Sequence, residues 1–367
     1  MRYALQNGEE ILMDKIFNFG AGPSMLPDEV KRIAARELFG DGEGISLLEM
    51  SADSPEVKGI RAECESNLRK LLSIPSSYKV IFMDGAGINQ FSAIPLNLFS
   101  DGKKADYIIT GQFSNLAQQE ARKYGDAIIA ASSGGSTHVF TSIPSLQPND
   151  FRPDTDYAYI CFNNTIYGTK YDKIPDTGHI PLVADMTSSL LSEPIDVSKF
   201  TMIFADAGPN IAPAPMTVVI IREDAISEAR PDIPPSMSYK VLAEGGIYES
   251  TSIYNMYMAN LCFKWLLSIG GLEEIKRRNE RKASKLYDFL DGNSYYTAPV
   301  SGRYRSLTNV RFTTGVSTLD DKFVKDAERE GLIGLAGHPS IGGLRASLYN
   351  AMPFEGVELL VDFTFQC

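Results

Sequence analysis

The sequence predicts an α/β protein: a large domain built on a mostly parallel sheet, then a smaller α+β domain. Three observations carry this. From about residue 79, short β-rich runs alternate with stretches of helical spacing. Several of the runs are apolar nearly throughout, as strands covered on both faces are. The Pro-rich stretch Arg230–Ser236 then ends the alternation, and helical patterning dominates beyond it. The chain has 367 residues, 44% apolar and 22% charged, the composition of a globular protein of about two domains.

The expected strands of the large domain are Lys79–Met83, Asp106–Thr110, Ala127–Ala131, Tyr157–Phe162, Ile180–Asp185, Met202–Ala205 and Met216–Arg222. Between them, Gln90–Leu98 and Ser114–Tyr124 have helical spacing. After the Pro-rich stretch a long helical region runs from about Ile253 to Leu290, interrupted near Gly270–Gly271. A strand (Asn309–Thr313), a helix (Leu319–Glu330), a strand (Gly343–Leu348) and a helix (Glu355–Phe363) complete the pattern. The resulting division is an N-terminal extension over 1–14, a large domain over 15–245 and a small domain over 246–367. The extension is expected to fray, with Met13 an alternative start.

Composition narrows the function. Forty-six acidic against 35 basic residues leave a net charge of −11, which argues against a nucleic-acid surface. No apolar run reaches the ~18–20 residues of a membrane span, and the N-terminus lacks a signal-peptide pattern. A cytoplasmic protein acting on small molecules is expected. Cys64, Cys161, Cys262 and Cys367 are scattered and read as reduced thiols. His138, His179 and His338 are too far apart for a zinc cluster, so no metal is expected. Ligands of an open α/β sheet bind beyond the carboxyl ends of its strands. That directs attention to Asp84–Asn89, Gly111–Ser114, Asn163–Gly168, Asp185–Ser188 and Asp206–Asn210.

Five stretches carry a resemblance: Phe17–Pro27 (FNFGAGPSMLP), Lys79–Leu98 (KVIFMDGAGINQFSAIPLNL), Ala184–Asp196 (ADMTSSLLSEPID), Cys262–Leu266 (CFKWL) and Gly337–Pro353 (GHPSIGGLRASLYNAMP). Collinear from about Lys15 to the C-terminus, they make the chain similar to the phosphoserine aminotransferase family of fold-type I, class-V, pyridoxal-phosphate (PLP) enzymes. The resemblance implies a seven-stranded large domain, a small domain joined by residues 15–27, and a homodimer with active sites at the subunit interface. It also implies a Schiff-base lysine after the sixth strand that carries protons, and an aspartate on the pyridinium nitrogen. A cradle for the phosphate and arginines for the substrate's anionic groups complete the implied set.

Part of that set is matched. By resemblance, Asp185 is the pyridinium partner, Thr165 the residue bonded to the ring hydroxyl, and Phe113 the stacking aromatic in place of the usual tryptophan. Arg345 matches the grip on the substrate carboxylate, with His338 beside it. Gly85, Ala86 and Gly87 precede a helix, so their N–H groups could face an anion. The rest is missing. Where the family reads small–small–Gln–Lys–Asn, this chain reads Asp206–Ala207–Gly208–Pro209–Asn210. Pro209 stands at the lysine position, and proline has neither an amine nor a backbone donor. No lysine lies between Lys199 and Lys240 to replace it. Ile88 stands at the phosphate-binding arginine, Ala52–Asp53 at a His–Arg pair, Glu249–Ser250 at an Asn–Thr pair reaching across the dimer, and Pro339 at a basic residue.

Four cations are thus replaced, at 53, 88, 209 and 339, and two carboxylates are added. Two unit charges ~8 Å apart interact by about 2 kcal/mol at an effective dielectric of about 20. Each lost arginine–phosphate contact removes about 1.5–3 kcal/mol more. The expectation is a cleft indifferent or hostile to dianions, with no catalytic residue and no cofactor. The leading reading is a repurposed or inactive family member unable to form the PLP Schiff base, paired with itself or with an active paralogue. A second reading is an active phosphoserine:2-oxoglutarate aminotransferase holding PLP through a displaced lysine, Lys170 being the nearest in the pattern. A third is a PLP-independent enzyme using Asp53, Asp84, Asp206 or Glu249 as acid–base groups or as ligands for a cation.

Overall fold

A computed structural model describes residues 3–6, 9–12, 15–38, 45–135, 139–226, 232–245, 251–300 and 302–366. Met13, His138, Glu249, Ser250 and Cys367 lie outside the described residues, as do the first two residues of the Pro-rich stretch. The seven expected strands all form and join in one sheet: β1 (Tyr78–Asp84), β2 (Lys104–Ile109), β3 (Asp126–Ser132), β4 (Tyr157–Cys161), β5 (Leu182–Asp185), β6 (Met202–Asp206) and β7 (Met216–Arg222). Their spatial order is β1-β7-β6-β5-β4-β2-β3. All neighbours are parallel except β7, which runs antiparallel to both β1 and β6.

Why these runs are apolar at every position is visible in the packing. Alternate residues of one strand belong to opposite cores. Val183, Met202, Phe204 and Val219 face one cluster, covered by helices α3 (Gln90–Leu98) and α4 (Gln112–Ala121). Ala184, Ile203, Ala205 and Val218 face the other, covered by α2 (Pro55–Leu72) and α5 (Ile253–Ser268). The sequence boundary at 245/246 assigns α5 to the small domain, whereas its buried Met256, Phe263 and Leu266 pack in this large-domain core.

Two helices precede residue 79 where the sequence reading named none: α1 (Asp28–Leu38) and α2. Helix α2 carried a start signal, since Ser54 caps it by accepting from the Val57 N–H at 3.2 Å and Pro55 opens its first turn. The small domain contains α6 (Gly271–Asp291), α7 (Ser317–Arg329), α8 (Phe354–Gln366) and the antiparallel pair β8 (Asn309–Phe312) and β9 (Leu344–Ser347). Phe17 and Phe19 of the N-terminal segment pack in its core, and Phe17–Asn18 pairs with Leu332–Ile333. Where fraying was expected, Tyr3–Gln6 and Glu9–Leu12 pair as an antiparallel hairpin. Among the described residues no helix is long and apolar enough to cross a membrane.

One polar clasp ties the sheet's far edge. Asp106 is fully buried on β2, and Arg152 donates to it from both its backbone N–H and Nε at 2.7 Å. The same guanidinium reaches Asp126 on β3 at 2.5 Å and the Ala105 carbonyl at 2.9 Å. Arg152→Ala leaves a buried carboxylate without its counter-charge, so a loss of about 3–5 kcal/mol is expected. Urea unfolding measures it, as a lower midpoint at unchanged slope. A loss under about 1 kcal/mol would contradict this account of the clasp.

Candidate active site

The carboxyl ends of β1, β4, β5 and β6 open onto one cavity of about 380 Å3, closed on the other side by the small domain and by residues 21–23. Ala86, Gly87, Phe113, Thr165, Asp185, Pro209, His338 and Arg345 all line it; Gly85 does not. Gly85 instead turns the chain at φ +98°, and its carbonyl accepts from Thr217 Oγ1 at 3.0 Å.

Asp185 ends β5 and is nearly fully buried. Its Oδ1 accepts from the Thr187 N–H at 2.9 Å. Burial, with the Asp206 carboxylate adding to it against the Thr187 bonds, pushes the Asp185 carboxyl up to about 6. A carboxylate held this way, facing a cavity, suits a cationic N–H from a ligand. Thr165 is hydrogen-bonded to Ser188. Ser188 Oγ in turn lies within hydrogen-bond distance of Tyr349 Oη, at 3.2 Å, and the Ser188 carbonyl accepts from Thr308 Oγ1 at 2.8 Å. Tyr349 also donates to the Ala21 carbonyl at 3.0 Å, so strand ends, small domain and N-terminal segment are fastened around the cavity.

Arg345 projects from β9 and is half-buried. Its Nη1 reaches the Thr165 carbonyl at 3.5 Å, while its Nε is buried without a partner. Desolvation holds the guanidinium below the ordinary arginine range. Beside it, burial and the Arg345 charge lower the His338 pKa. His338 Nδ1 accepts from the Ser340 N–H at 3.2 Å. An imidazole disfavoured as a cation and a guanidinium with no carboxylate paired to it among the described residues share this wall, as suits a ligand carboxylate.

The opposite end of the cavity differs from expectation. The Gly-rich turn was expected to offer free N–H groups to an anion, but the chain supplies that anion itself. Asp206 Oδ2 accepts from the Gly87 N–H at 2.9 Å, and Oδ1 accepts from the Gly208 N–H at 3.0 Å. Thr187 Oγ1 accepts from the Asp206 N–H at 3.2 Å and helps fix the side chain. From sequence Asp206 reads as a strand-end residue and as an acid–base group or cation ligand. Its role as an internal occupant of the turn depends on a contact spanning 119 residues, which no local pattern announces. Ile88 is 57% exposed at the rim and brings no charge.

Pro209 lies against the cavity, and its carbonyl accepts from Ser24 Oγ at 2.6 Å. No lysine lines the cavity among the described residues. Lys170 is paired with Glu193, and Lys282 donates to the Leu348 and Tyr349 carbonyls at 2.9 and 2.7 Å. Of the acids considered for cofactor-free catalysis, Asp53 is 93% exposed at its side chain and sits 3.7 Å from Lys58, and Asp84 accepts from the Ser252 N–H. Among the described residues, only Asp206 of these acids joins Asp185 at the cavity. Tested against a pyridoxal phosphate, the ring end fits: a buried acid for the ring nitrogen, Thr165 and Phe113 alongside. The phosphate end does not fit as it stands, because the Gly87 and Gly208 N–H groups already donate to the Asp206 carboxylate.

Comparison with known proteins places the whole chain. Residues 16–360 match the family Aminotransferase class-V. A phosphoserine aminotransferase of Laribacter hongkongensis is 45% identical over 95% of this chain and 97% of its own length. One of Bacillus cereus is 43% identical over 96% and 98%. The solved phosphoserine aminotransferase of Bacillus circulans superposes with a TM-score of 0.91 at 36% identity, covering 96% of this chain and 98% of that one. That of Trichomonas vaginalis, solved with PLP bound, gives 0.90 at 32% identity over 96% and 100%. These relatives correct the expectation of a protein without a cofactor: they point to PLP. The physical reason is that replacing phosphate contacts leaves Asp185, Thr165 and Phe113 lining the cavity, where a ring can still be held. With a match over nearly its full length and a sheet of the same architecture, the chain belongs to the class-V aminotransferases, beside the phosphoserine aminotransferases.

Proposed function

We propose that this chain binds the pyridoxal ring of PLP reversibly, on Asp185, with a carboxylate-bearing ligand on Arg345. It makes no covalent bond from its own lysines to the cofactor, and so does not by itself run the amino transfer named for its relatives. The observation that supports this most is the pairing of a retained ring site with Pro209 at the lysine position. PLP, when bound, supplies an electron sink and an aldehyde that condenses with amines. Asp185 would hold the ring nitrogen's proton, Phe113 and Thr165 would orient the ring, and Arg345 would fix a carboxylate by a two-pronged contact. At the phosphate end, Asp206 holds the Gly87 and Gly208 N–H groups.

Borohydride reduction with PLP, followed by peptide mapping, tests the reading. The expected result is reversible PLP binding that dialysis removes, with no pyridoxyl-lysine peptide. A modified lysine, with the Lys170 peptide the first to inspect, would overturn it. That outcome would favour the second reading, an active phosphoserine:2-oxoglutarate aminotransferase with a displaced lysine, which the 45% identity to a curated relative supports.

A further inference from the structure

Arg311 and Arg345 stand directly opposite each other in the β8–β9 ladder. Alternation sends Val310, Phe312, Leu344 and Ala346 into the small-domain core and turns both arginines to the other face, toward the large domain. Residues so paired have Cβ atoms about 4.5–5.5 Å apart, where like charges repel. Both guanidiniums are half-buried, and each has a buried Nε without a partner. Two desolvated cations side by side, with no carboxylate paired to either among the described residues, are costly unless an anion joins them.

Arg345 faces the cavity already described, but Arg311 opens into a separate hollow of about 490 Å3. The loop 338–341 divides the two: His338 lines the first cavity, Ser340 and Ile341 the second. That partition is pinned where Ser340 Oγ donates to Gln112 Oε1 at 3.0 Å. The hollow has an apolar wall of Val139, Phe140 and Tyr167, the two rings edge-to-face with centroids 4.8 Å apart. Its polar side is the first turn of α4, with Gln112 and Asn115, and among the described residues no acidic residue lines it. A turn at Gly168, φ +75°, presses on β8 beside Arg311, where an added Cβ would meet the Asn309 carbonyl at 2.9 Å. The strand carrying Arg311 is thereby held in place.

We propose that this hollow is a second ligand site, taking an organic carboxylate with an aromatic body. The carboxylate accepts from the Arg311 guanidinium, supported by the positive end of α4. The ring packs on Phe140 and Tyr167. This goes beyond the cofactor reading, and its test uses no cofactor. Calorimetric titration of the full chain with phenylacetate, 2-phenylethanol and acetate separates charge from ring. Phenylacetate is expected to bind at least about tenfold tighter than either of the others, since one charge-assisted pair and one buried ring are each worth that much. Arg311→Gln should lower phenylacetate affinity by about tenfold, to that of the alcohol. Asn115→Asp, which adds a carboxylate at the rim and leaves the strand untouched, should lower it by about fivefold or more even if the arginine variant does not fold. Equal affinity for phenylacetate and 2-phenylethanol overturns the proposal. So does a loss seen in Arg345→Gln and in neither Arg311→Gln nor Asn115→Asp, since phenylacetate would then occupy the first cavity.

Discussion

Asp206→Gly is expected to tighten PLP binding by about 100-fold. The substitution returns the Gly87 and Gly208 N–H groups, each now donating to a carboxylate oxygen, to an incoming phosphate. Two charge-assisted bonds at ~1.5 kcal/mol each account for about 3 kcal/mol. Removing a like charge adds about 2 kcal/mol if it lies ~8 Å from the phosphate. Part of this gross gain is lost to rehydration of the freed amides, which leaves about 100-fold. Equilibrium dialysis with PLP measures it, and pyridoxal, which lacks the phosphate, is the control. Pyridoxal affinity should move by less than about threefold. An unchanged PLP affinity in the variant would show that the turn is not where the phosphate arm lies. In the combination Asp206→Gly, Pro209→Lys, an amine enters the cavity wall beside the ring site. Borohydride should then fix PLP at residue 209 in the double variant and in neither the wild type nor Asp206→Gly.

Asp185→Asn is expected to stabilise the ligand-free protein above neutral pH while weakening ring binding. The Asp185 carboxyl titrates near 6 in the fold, above its ordinary 3.8. A raised acid keeps its proton in the folded state through a range where the unfolded chain has lost it. Stability therefore falls as pH rises from about 4 to 6. Above that window the buried carboxylate costs up to about 3 kcal/mol, at 1.36 kcal/mol per pH unit. Asparagine keeps an oxygen for the Thr187 N–H and carries no charge. At pH 8 its thermal midpoint should rise by about 2–5 °C, and at pH 4 it should match the wild type. Loss of the charge-assisted contact to the ring nitrogen should weaken pyridoxal and PLP alike by about tenfold or more. A lower midpoint at pH 8 would mean that Asp185 is already paired in the free protein.

The strands were legible because burial on both faces leaves a long apolar signature, as in Met216–Arg222, whose bounds agree between sequence and structure. Helix α3 was equally plain. Helix α2 was not, because its buried Val57, Cys64 and Leu68 are spread among charged residues along a half-solvated surface. At the site, Asp185, Thr165 and Arg345 were found by resemblance. Thr187 and Ser188 fell in a strand-end segment the sequence pointed to, but no role was legible for them or for Ser24, since hydroxyl side chains carry little sequence signal and act here through partners distant in the chain. Arg311 was missed because one cation in a short strand reads as ordinary surface.

By itself the order of residues determined the layered fold, the family and the absence of an amine at position 209. These depend on side-chain chemistry and on periodicities that neighbouring residues share. Only the folded chain decided that Asp206 occupies the Gly87–Gly208 amides and that Arg311 faces Arg345 with no acid between them. Both are matters of distance between segments more than thirty, or more than a hundred, residues apart. Electrostatic pairing falls off over a few ångströms, and sequence separation says nothing about such distances until the sheets close.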